Sequence, residues 1–245
     1  MTTMKKKILN LTACLAAVLL TGACIEDPDV LVTNDQTTGN IIEGRFLADR
    51  GMWYDVVEQT CEGSLKDLDR ALIVCDVLKN TSSSKEISYD IRLKRFVPVG
   101  LPEVLSSVDE NMQDPLVVDL AWISGQYLNL RIVYFTAVES KVPHEIKLAV
   151  VQNPTPTLPL VVRVCHAGGD DAAVVAGLKK DDLSNAKTVT QVTEFVSLPI
   201  YELYKDMQNY SIYYEVEYPW HKTGEDGETF ASETEINTLS GNLYR

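Results

Sequence analysis

The stretch that decides the fold is VDLAWISGQYLNLRIVYF, residues 118–135. Apolar and polar residues alternate on both sides of Ser124-Gly125, so the pattern predicts two strands joined by a tight turn. Four residues share one face of the second strand: Leu128, Leu130, Ile132 and Tyr134. Because side chains alternate between the two faces of a strand, this face is predicted to lie in a core.

The rest of the C-terminal region repeats the strand pattern. Further predicted strands are HEIKLAVVQ (144–152), LVVRVCHA (160–167), KTVTQVTEFVSLP (187–199), YSIYYEVEY (210–218) and residues 229–236. About seven strands at this spacing are typical of a β-sandwich. Residues 114–245 are therefore predicted to form an antiparallel β-sandwich domain.

Residues 40–108 predict a smaller β-unit ahead of the sandwich. RALIVCDVLKN (70–80) is an apolar strand, and ISYDIRLKRFVPV (87–99) alternates as a half-buried strand does. Four or five strands in this length are typical of a small OB-like barrel. Residues 101–108 are predicted to form a short helix. The expected fold class is all-β, with a small OB-like barrel followed by an antiparallel β-sandwich.

The first 23 residues carry the parts of a cleaved secretory signal. Residues 5–7 are lysines, residues 8–20 are mostly apolar, and residues 21–23 are small. Together residues 8–23 give a run of 16 residues without a charge, shorter than the roughly 20 that a membrane-spanning helix needs. Residues 1–23 are therefore predicted to be a lipoprotein signal peptide.

Cys24 is the candidate lipidation site. LTGAC, residues 20–24, resembles a bacterial lipobox, in which cleavage precedes the cysteine that becomes the lipidated N-terminus. The alternative at Cys14 leaves only about six residues after the basic region, too few for the apolar part of a signal. A soluble secreted protein with Cys24 as a free thiol is the other alternative.

Residues 24–39 are predicted to be a tether between this anchor and the folded chain. Two or more acyl chains, such as palmitate, give stable membrane anchoring. Residue 25 is Ile, so the familiar inner-membrane retention signal is missing. Glu26, Asp27 and Asp29 resemble a surface-export signal, although such charges are more often only a solvated tether. The predicted location is the outer membrane, facing the periplasm or the cell surface.

The charge of the chain disfavours nucleic acid as a partner. The formal net charge is -13, and removing Lys5, Lys6 and Lys7 with the signal takes it from -13 to -16. Such a protein repels phosphate backbones. The expected partners are the membrane, through the N-terminal lipid, and a protein or a glycan.

Several of these stretches together resemble the NigD-like lipoproteins. WISGQYLN, residues 122–129, carries most of the match, which spans most of residues 40–220. The resemblance implies an envelope lipoprotein with an N-terminal OB-type domain and a C-terminal β-sandwich, encoded beside a bacteriocin in the founding case. It supplies no catalytic residues. The acid-rich run of many members is reduced here to Glu26, Asp27 and Asp29.

The sequence offers no motif for a metal, a cofactor or catalysis. His144, His166 and His221 fit no zinc spacing and are expected to be exposed or satisfied. Cys165 precedes His166 on a strand, so the two point to opposite faces and are not a nucleophile and base. Three free thiols are favoured over a disulfide between Cys61 and Cys75, which stays open.

A late aromatic set is the feature that most suggests a binding surface. It comprises Tyr201, Tyr204, Tyr210, Tyr213, Tyr214, Tyr218 and Trp220. Tyr213 lies on the face opposite to the predicted core and could belong to an exposed aromatic patch. The expected function is that of a non-enzymatic binding module. The alternatives are an envelope hydrolase with carboxylates assembled in space and a structural subunit that adds strands to partners.

Overall fold

The computed structural model describes residues 30–138, 140–169, 171, 174–185, 187–207 and 211–243. The described strands are β1 (Val32–Ile42), β2 (Arg45–Ala48), β3 (Trp53–Gln59), β4 (Arg70–Asn80), β5 (Ser88–Gly100), β6 (Val104–Leu105), β7 (Val117–Ser124), β8 (Tyr127–Ala137), β9 (Glu145–Gln152), β10 (Leu160–Ala167), β11 (Val189–Pro199), β12 (Ile212–Thr223) and β13 (Phe230–Leu243). Short helical turns lie at Leu65–Asp67, Lys180–Asn185 and Tyr201–Tyr204. In these ranges no helix has the length and apolar character to cross a membrane.

The strands form two mixed sheets. One has eight strands in the order β3-β2-β1-β4-β5-β11-β8-β7, and the other has five in the order β13-β12-β10-β9-β6. An additional pairing of β3 with β5 closes the first five strands into a ring. Its interior is apolar, with Phe46, Ile73, Cys75, Ile91 and Leu93 almost completely buried.

A second core lies between the two sheets. Leu128, Leu130 and Ile132 of β8 meet Leu148 of β9 and Val162 of β10, all fully buried. The predicted core face of β8 is thereby confirmed, as is the inward face of β12 at Ile212, Tyr214 and Val216. Alternation predicts these faces well because each strand covers the core with one side only.

The prediction of an antiparallel sandwich is wrong in one respect, because the sheets are mixed. β10 pairs in parallel with β12, and β11 pairs in parallel with β5. A parallel pair needs a crossover connection. The chain between β10 and β12 supplies one by passing through β11 in the other sheet. This crossover makes β11 the link between the five-strand ring and the rest of the fold. We call that remainder, β7, β8 and β11 together with the five-stranded sheet, the sandwich half.

Two local predictions are also corrected. The segment 101–108 contains the short strand β6 instead of a helix, because Val104 and Leu105 pair in parallel with Leu148 and Ala149 of β9. Residues 32–39, within the predicted tether, form most of β1 and pair with β4. Polar residues of β1 make this strand hard to recognise, since Thr37 and Thr38 are buried there. The predicted signal and Cys24 lie outside the described residues.

Candidate binding cleft

The β7–β8 hairpin docks onto the ring through its turn. Gly125 has φ +57°, and a Cβ built there would lie 2.4 Å from the carbonyl oxygen of Asp49, in the turn between β2 and β3. Glycine meets both demands, since it tolerates positive φ and has no side chain. The Tyr204 hydroxyl donates to the Gly125 carbonyl at 2.8 Å, and the Ile200 amide donates to the Gln126 carbonyl at 2.8 Å. The turn is therefore held from both sides.

A buried arginine on β4 anchors the ring side of this junction. The Arg70 guanidinium donates to both carboxylate oxygens of Asp49, at 2.8 and 2.7 Å, and to Asn40 Oδ1 at 3.0 Å. The side chains of Arg70 and Asp49 are 0% and 1% exposed. A bidentate pair between a guanidinium and a carboxylate fixes both the distance and the orientation of the two groups.

The same guanidinium reaches across to the sandwich half. It donates to Ser197 Oγ of β11 at 2.9 Å and to Asn129 Oδ1 of β8 at 3.0 Å. The Tyr127 ring lies 3.8 Å from the guanidinium carbon, a cation–π contact. Every N–H of Arg70 therefore has an acceptor, and its charge is compensated by Asp49. We call Arg70 and these partners the junction cluster.

Beside the junction cluster, the ring and the outer face of the sandwich half enclose a cleft of about 780 Å³. Its lining comes from β1, β4, β5, β7, β8, β11 and the turn after β2. A volume of about 300–1,000 Å³ is usual for a small-molecule site. The lining includes Gln36, Arg50, Arg95, Trp122, Arg131 and Phe195.

Aromatic rings and arginines line the cleft together. The half-buried Trp122 meets Phe195 edge to face, with 6.5 Å between ring centroids. Arg131 makes a bidentate pair with Asp119, at 2.7 and 2.8 Å, which raises the pKa of its guanidinium. Arg50 and Arg95 are exposed, and neither guanidinium makes a hydrogen bond or ion pair within the described part of the chain.

The cleft therefore has a local charge opposite to that of the whole protein. Its lining among the described residues contains three arginines and no carboxylate, whereas the chain has a net charge of -13. The nearest acid to Arg50 in sequence is Asp49, whose charge is taken up by Arg70. An uncompensated positive site between low-dielectric walls attracts anions.

A second buried polar group lies at the other side of the sandwich core. His144 Nδ1 is 2.9 Å from His166 Nε2, and His166 Nδ1 is 3.1 Å from the carbonyl oxygen of Asp114. His144 Nε2 faces Asp171 Oδ2 at 3.5 Å, and both of these atoms are buried without a hydrogen-bond partner. The Tyr134 ring stacks on His144 with centroids 4.4 Å apart. We call these residues the histidine cluster.

Hydrogen-bond chemistry fixes the direction of this chain. A carbonyl oxygen only accepts, so His166 Nδ1 donates to Asp114 and the Nε2 of a neutral His166 accepts from His144. Burial, aided by the neighbouring His144, lowers the pKa of His166, which favours the neutral form. Hydrogen bonding from Ser140, opposed by desolvation, holds the pKa of the Asp171 carboxyl below its usual value.

The predicted site residues have different places in the structure. Cys24 lies outside the described residues. Cys165 is fully buried beside Met112 and Ala149, and burial raises the pKa of its thiol. The His166 ring bonds to His144 and the Asp114 carbonyl on the other side of the strand. The two neighbours on β10 therefore point apart, as their alternation predicts.

The open question on Cys61 and Cys75 is settled for the described residues, where both cysteines are free. Cys75 is buried in the ring, and desolvation raises the pKa of its thiol to about 12. In the described ranges no three His, Cys, Asp or Glu side chains come together as a metal-binding group. His221, the third histidine, is buried, and its Nδ1 lies 2.7 Å from the Ala231 carbonyl oxygen.

The late aromatic set is mostly structural. The Tyr204 and Tyr214 hydroxyls donate to the carbonyls of Gly125 and Ala121, which belong to the β7–β8 hairpin. Tyr213 is 52% exposed, as its place on the outer face predicts. Tyr210 lies outside the described residues. Two members of the set therefore hold the β7–β8 hairpin in place, while Tyr201 and Tyr213 are exposed.

Sequence reasoning missed the residues of the cleft. Trp122 belongs to the family-like stretch 122–129, but nothing in the sequence marks it or Arg95 as part of a cleft. Arg50 and Phe195 carried no signal of their own. The lining residues come from six strands, so no short window of sequence contains enough of them to show a site.

Comparisons with known proteins give likenesses of fold. A scan of family models and a search of curated proteins both find no match. Among solved structures, a protein of unknown function DUF1344 from Bacteroides vulgatus has a TM-score of 0.53 at 16% identity and covers 86% of this chain and 91% of its own. A "Putative lipoprotein" from Bacteroides fragilis has a TM-score of 0.52 at 11% identity, covering 85% and 97%.

A NigD-like immunity protein from Bacteroides caccae also matches, with a TM-score of 0.45 at 11% identity, covering 87% of this chain and 92% of its own. At such identities these likenesses concern the fold alone. The predicted resemblance to NigD-like lipoproteins thus has a structural match at the level of fold and no more. This chain therefore shares its fold with a protein of unknown function from Bacteroides vulgatus and with a "Putative lipoprotein" from Bacteroides fragilis.

Proposed function

We propose that this protein is a lipid-anchored, non-enzymatic binding module of the cell envelope and that it binds its partner in the cleft. In this proposal the lipid on Cys24 holds the chain at the outer membrane, and the five-strand ring is an OB-like barrel. The likeness to a "Putative lipoprotein" supports the envelope location.

The observation that carries the binding role is the cleft itself. It is concave and large enough for a ligand. Its lining includes the aromatic pair Trp122 and Phe195 and two arginines, Arg50 and Arg95, that form no ion pair within the described residues. An exposed guanidinium without a carboxylate partner gains charge-assisted hydrogen bonds when an anionic ligand arrives. The junction cluster fixes both walls, so the cleft is formed before binding and loses little entropy on association.

Membrane fractionation of the producing cells tests the anchor. We expect the wild-type chain in the outer-membrane fraction, with a diacylglyceryl group on its N-terminal peptide by mass spectrometry. Cys24→Ala should move the protein out of the membrane fraction, and Cys14→Ala is the matched control that should leave it there. A Cys24→Ala protein that stays membrane-bound, or a wild-type protein with an unmodified N-terminus, contradicts the proposal.

A further inference from the structure

We propose that the ligand of the cleft is an anionic oligosaccharide, with its acid groups on Arg50 and Arg95 and a sugar ring on Trp122. The inference rests on the binding role proposed above and adds the chemical class of the ligand. It is drawn from two properties of the lining, its charge and its aromatic surface.

The charge of the cleft selects an anion. Arg50 lies in the turn after β2 and Arg95 on β5, and both line the same cleft. Their guanidinium groups are exposed and make no ion pair with described residues, while the protein as a whole is acidic. A planar guanidinium binds a carboxylate or a sulfate through two parallel hydrogen bonds.

The aromatic surface adds a site for the body of the ligand. Trp122 is half-buried against Phe195, so its ring is held in place by the edge-to-face contact. A pyranose ring has a face of C–H groups that packs on a flat aromatic ring, while its hydroxyls remain free to hydrogen-bond. Gln36 and Thr193 are exposed polar residues of the same lining. The cleft thus offers apolar and hydrogen-bonding surface side by side.

The strands beneath the cleft are consecutive neighbours in one sheet, but they pair incompletely where the two walls of the cleft meet. β11 pairs with β8 along its whole length and with β5 only at Phe195–Val99 and Val196–Gly100. A peptide that binds as an added strand needs such an open edge, so an acidic peptide is the competing ligand in the test below. The exposed face of Trp122 and the polar side chains beside it favour the saccharide.

Nucleic acid shares the combination of negative charge and flat rings, but the charge of the whole protein opposes it. A polynucleotide extends beyond a cleft of about 780 Å³ and would then meet a surface with a net charge of -13. A short anionic oligosaccharide fits within the cleft and stays beside the arginines.

Isothermal titration calorimetry on the full chain in detergent micelles tests the proposal. The probes are oligogalacturonate, which carries carboxylates, and a carrageenan oligosaccharide, which carries sulfates. Fully methyl-esterified oligogalacturonate is the uncharged match of the first probe. We expect at least one anionic probe to bind, and the esterified one to bind about tenfold or more weakly, equivalent to the loss of one charge-assisted contact. The arm that binds identifies the acid group.

Variants of the cleft locate the binding. Arg50→Gln/Arg95→Gln should weaken binding about tenfold or more, whereas Lys85→Gln/Lys187→Gln removes the same charge outside the cleft and should change it less than about twofold. Trp122→Ala should also weaken binding, and Tyr213→Ala is its exposed aromatic control. Because the substituted arginines are exposed, the double variant is expected to unfold at the urea concentration of the wild type.

Several results would overturn the proposal. They are no binding of either anionic saccharide, equal binding of the esterified probe, and equal losses in the cleft and control variants. Tighter binding of poly-L-glutamate or oligothymidylate than of either saccharide would also overturn it, while keeping a binding role for the cleft. Fractionation of Cys24→Ala measures the anchor separately, so failure of the ligand class is distinguishable from failure of the envelope assignment.

Discussion

The junction cluster and the histidine cluster are both buried groups of polar side chains, and they differ in how completely their hydrogen bonds are made. Arg70 has an acceptor for every N–H and a carboxylate for its charge. In the histidine cluster, His144 Nε2 and Asp171 Oδ2 face each other at 3.5 Å without a hydrogen bond. One cluster has all its hydrogen bonds, and the other holds two buried polar atoms without a hydrogen-bond partner.

The difference shows which buried polar group holds the fold rigidly and which one makes its stability depend on pH. A buried polar network is rigid when every member is satisfied, and it is the weak point of a core when one member is not. The complete cluster lies between the ring and the sandwich half, where it sets the shape of the cleft. The incomplete one lies among Tyr134, His144 and His166, within the sandwich half.

The largest effect is expected from breaking the junction cluster at its centre. Arg70→Met leaves the Asp49 carboxylate buried without its partner, and this should lower the free energy of unfolding by about 3–5 kcal/mol. Arg131→Met is the matched control, since Arg131 also holds a carboxylate in a bidentate pair but is 40% exposed. The control should lose less than about 1 kcal/mol in urea unfolding.

Removal of both buried charges sharpens the same test. In the double variant Arg70→Met/Asp49→Leu no buried charge is left unpaired, so part of the lost stability should return. Equal losses for Arg70→Met and Arg131→Met would show that burial at the junction has no special weight.

A smaller effect is expected where the hairpin turn meets the ring. Gly125→Ala introduces a Cβ at 2.4 Å from the Asp49 carbonyl oxygen and places alanine at φ +57°. We expect the free energy of unfolding in urea to fall by about 2–3 kcal/mol, because of left-handed backbone strain and the clash. Gly227→Ala has the same backbone problem at φ +72° with nothing within 4 Å of its Cβ. It should cost only about 1–2 kcal/mol. The two losses will be equal if the turn does not press on the ring.

The smallest effect, and the one that separates the two clusters, is a dependence on pH. The pKa of His166 is lower in the folded protein than its usual 6.5, so the unfolded chain binds a proton that the native state excludes. The resulting stability is complete above about pH 6.5 and declines as the pH falls below it. The lowered pKa of Asp171 acts in a separate, more acidic window, where stability falls as its carboxylate is protonated.

Urea unfolding at pH 7.5 and pH 5.5 measures this dependence. The wild type should lose stability at the lower pH, and His166→Gln, although less stable at both, should lose less between them because it lacks the titrating ring. Arg70→Met should keep the pH dependence of the wild type, since the junction cluster lies apart from His166. A His166→Gln protein with the wild-type slope would mean that other groups cause the loss.

The sequence predicted the local features of the fold and few of the distant ones. The inward face of β8, at Leu128, Leu130 and Ile132, followed from alternation alone, because one side of a strand must cover the core. The stretch 101–108 differs from the predicted helix because β6 has only two residues, too few to show a periodicity. The part of β1 before residue 40 does not read as a strand in the sequence, because its buried residues there include the polar Thr37 and Thr38.

Likewise the candidate site was predicted only in fragments. The stretch 122–129 carries the family resemblance, but the contacts of its residues depend on the tertiary structure. Trp122 lines the cleft, Gly125 packs against Asp49, and Asn129 accepts a hydrogen bond from Arg70. Nothing in the neighbourhood of Arg50 or Phe195 marks them as partners in one cleft. The histidines have no metal spacing, and the contact of His144 with His166 joins the residue just before β9 to β10.

By itself the sequence determined that this chain is built of strands and which face of many of them is buried, because both depend on a repeat of two residues. It also determined a net charge that disfavours a phosphate backbone. Only the tertiary structure decided that β11 joins the ring to the sandwich half and that Arg70 meets Ser197, 127 positions away. Pairing over such distances depends on the packing of the whole chain, and the cleft with its unpaired arginines is a product of that packing.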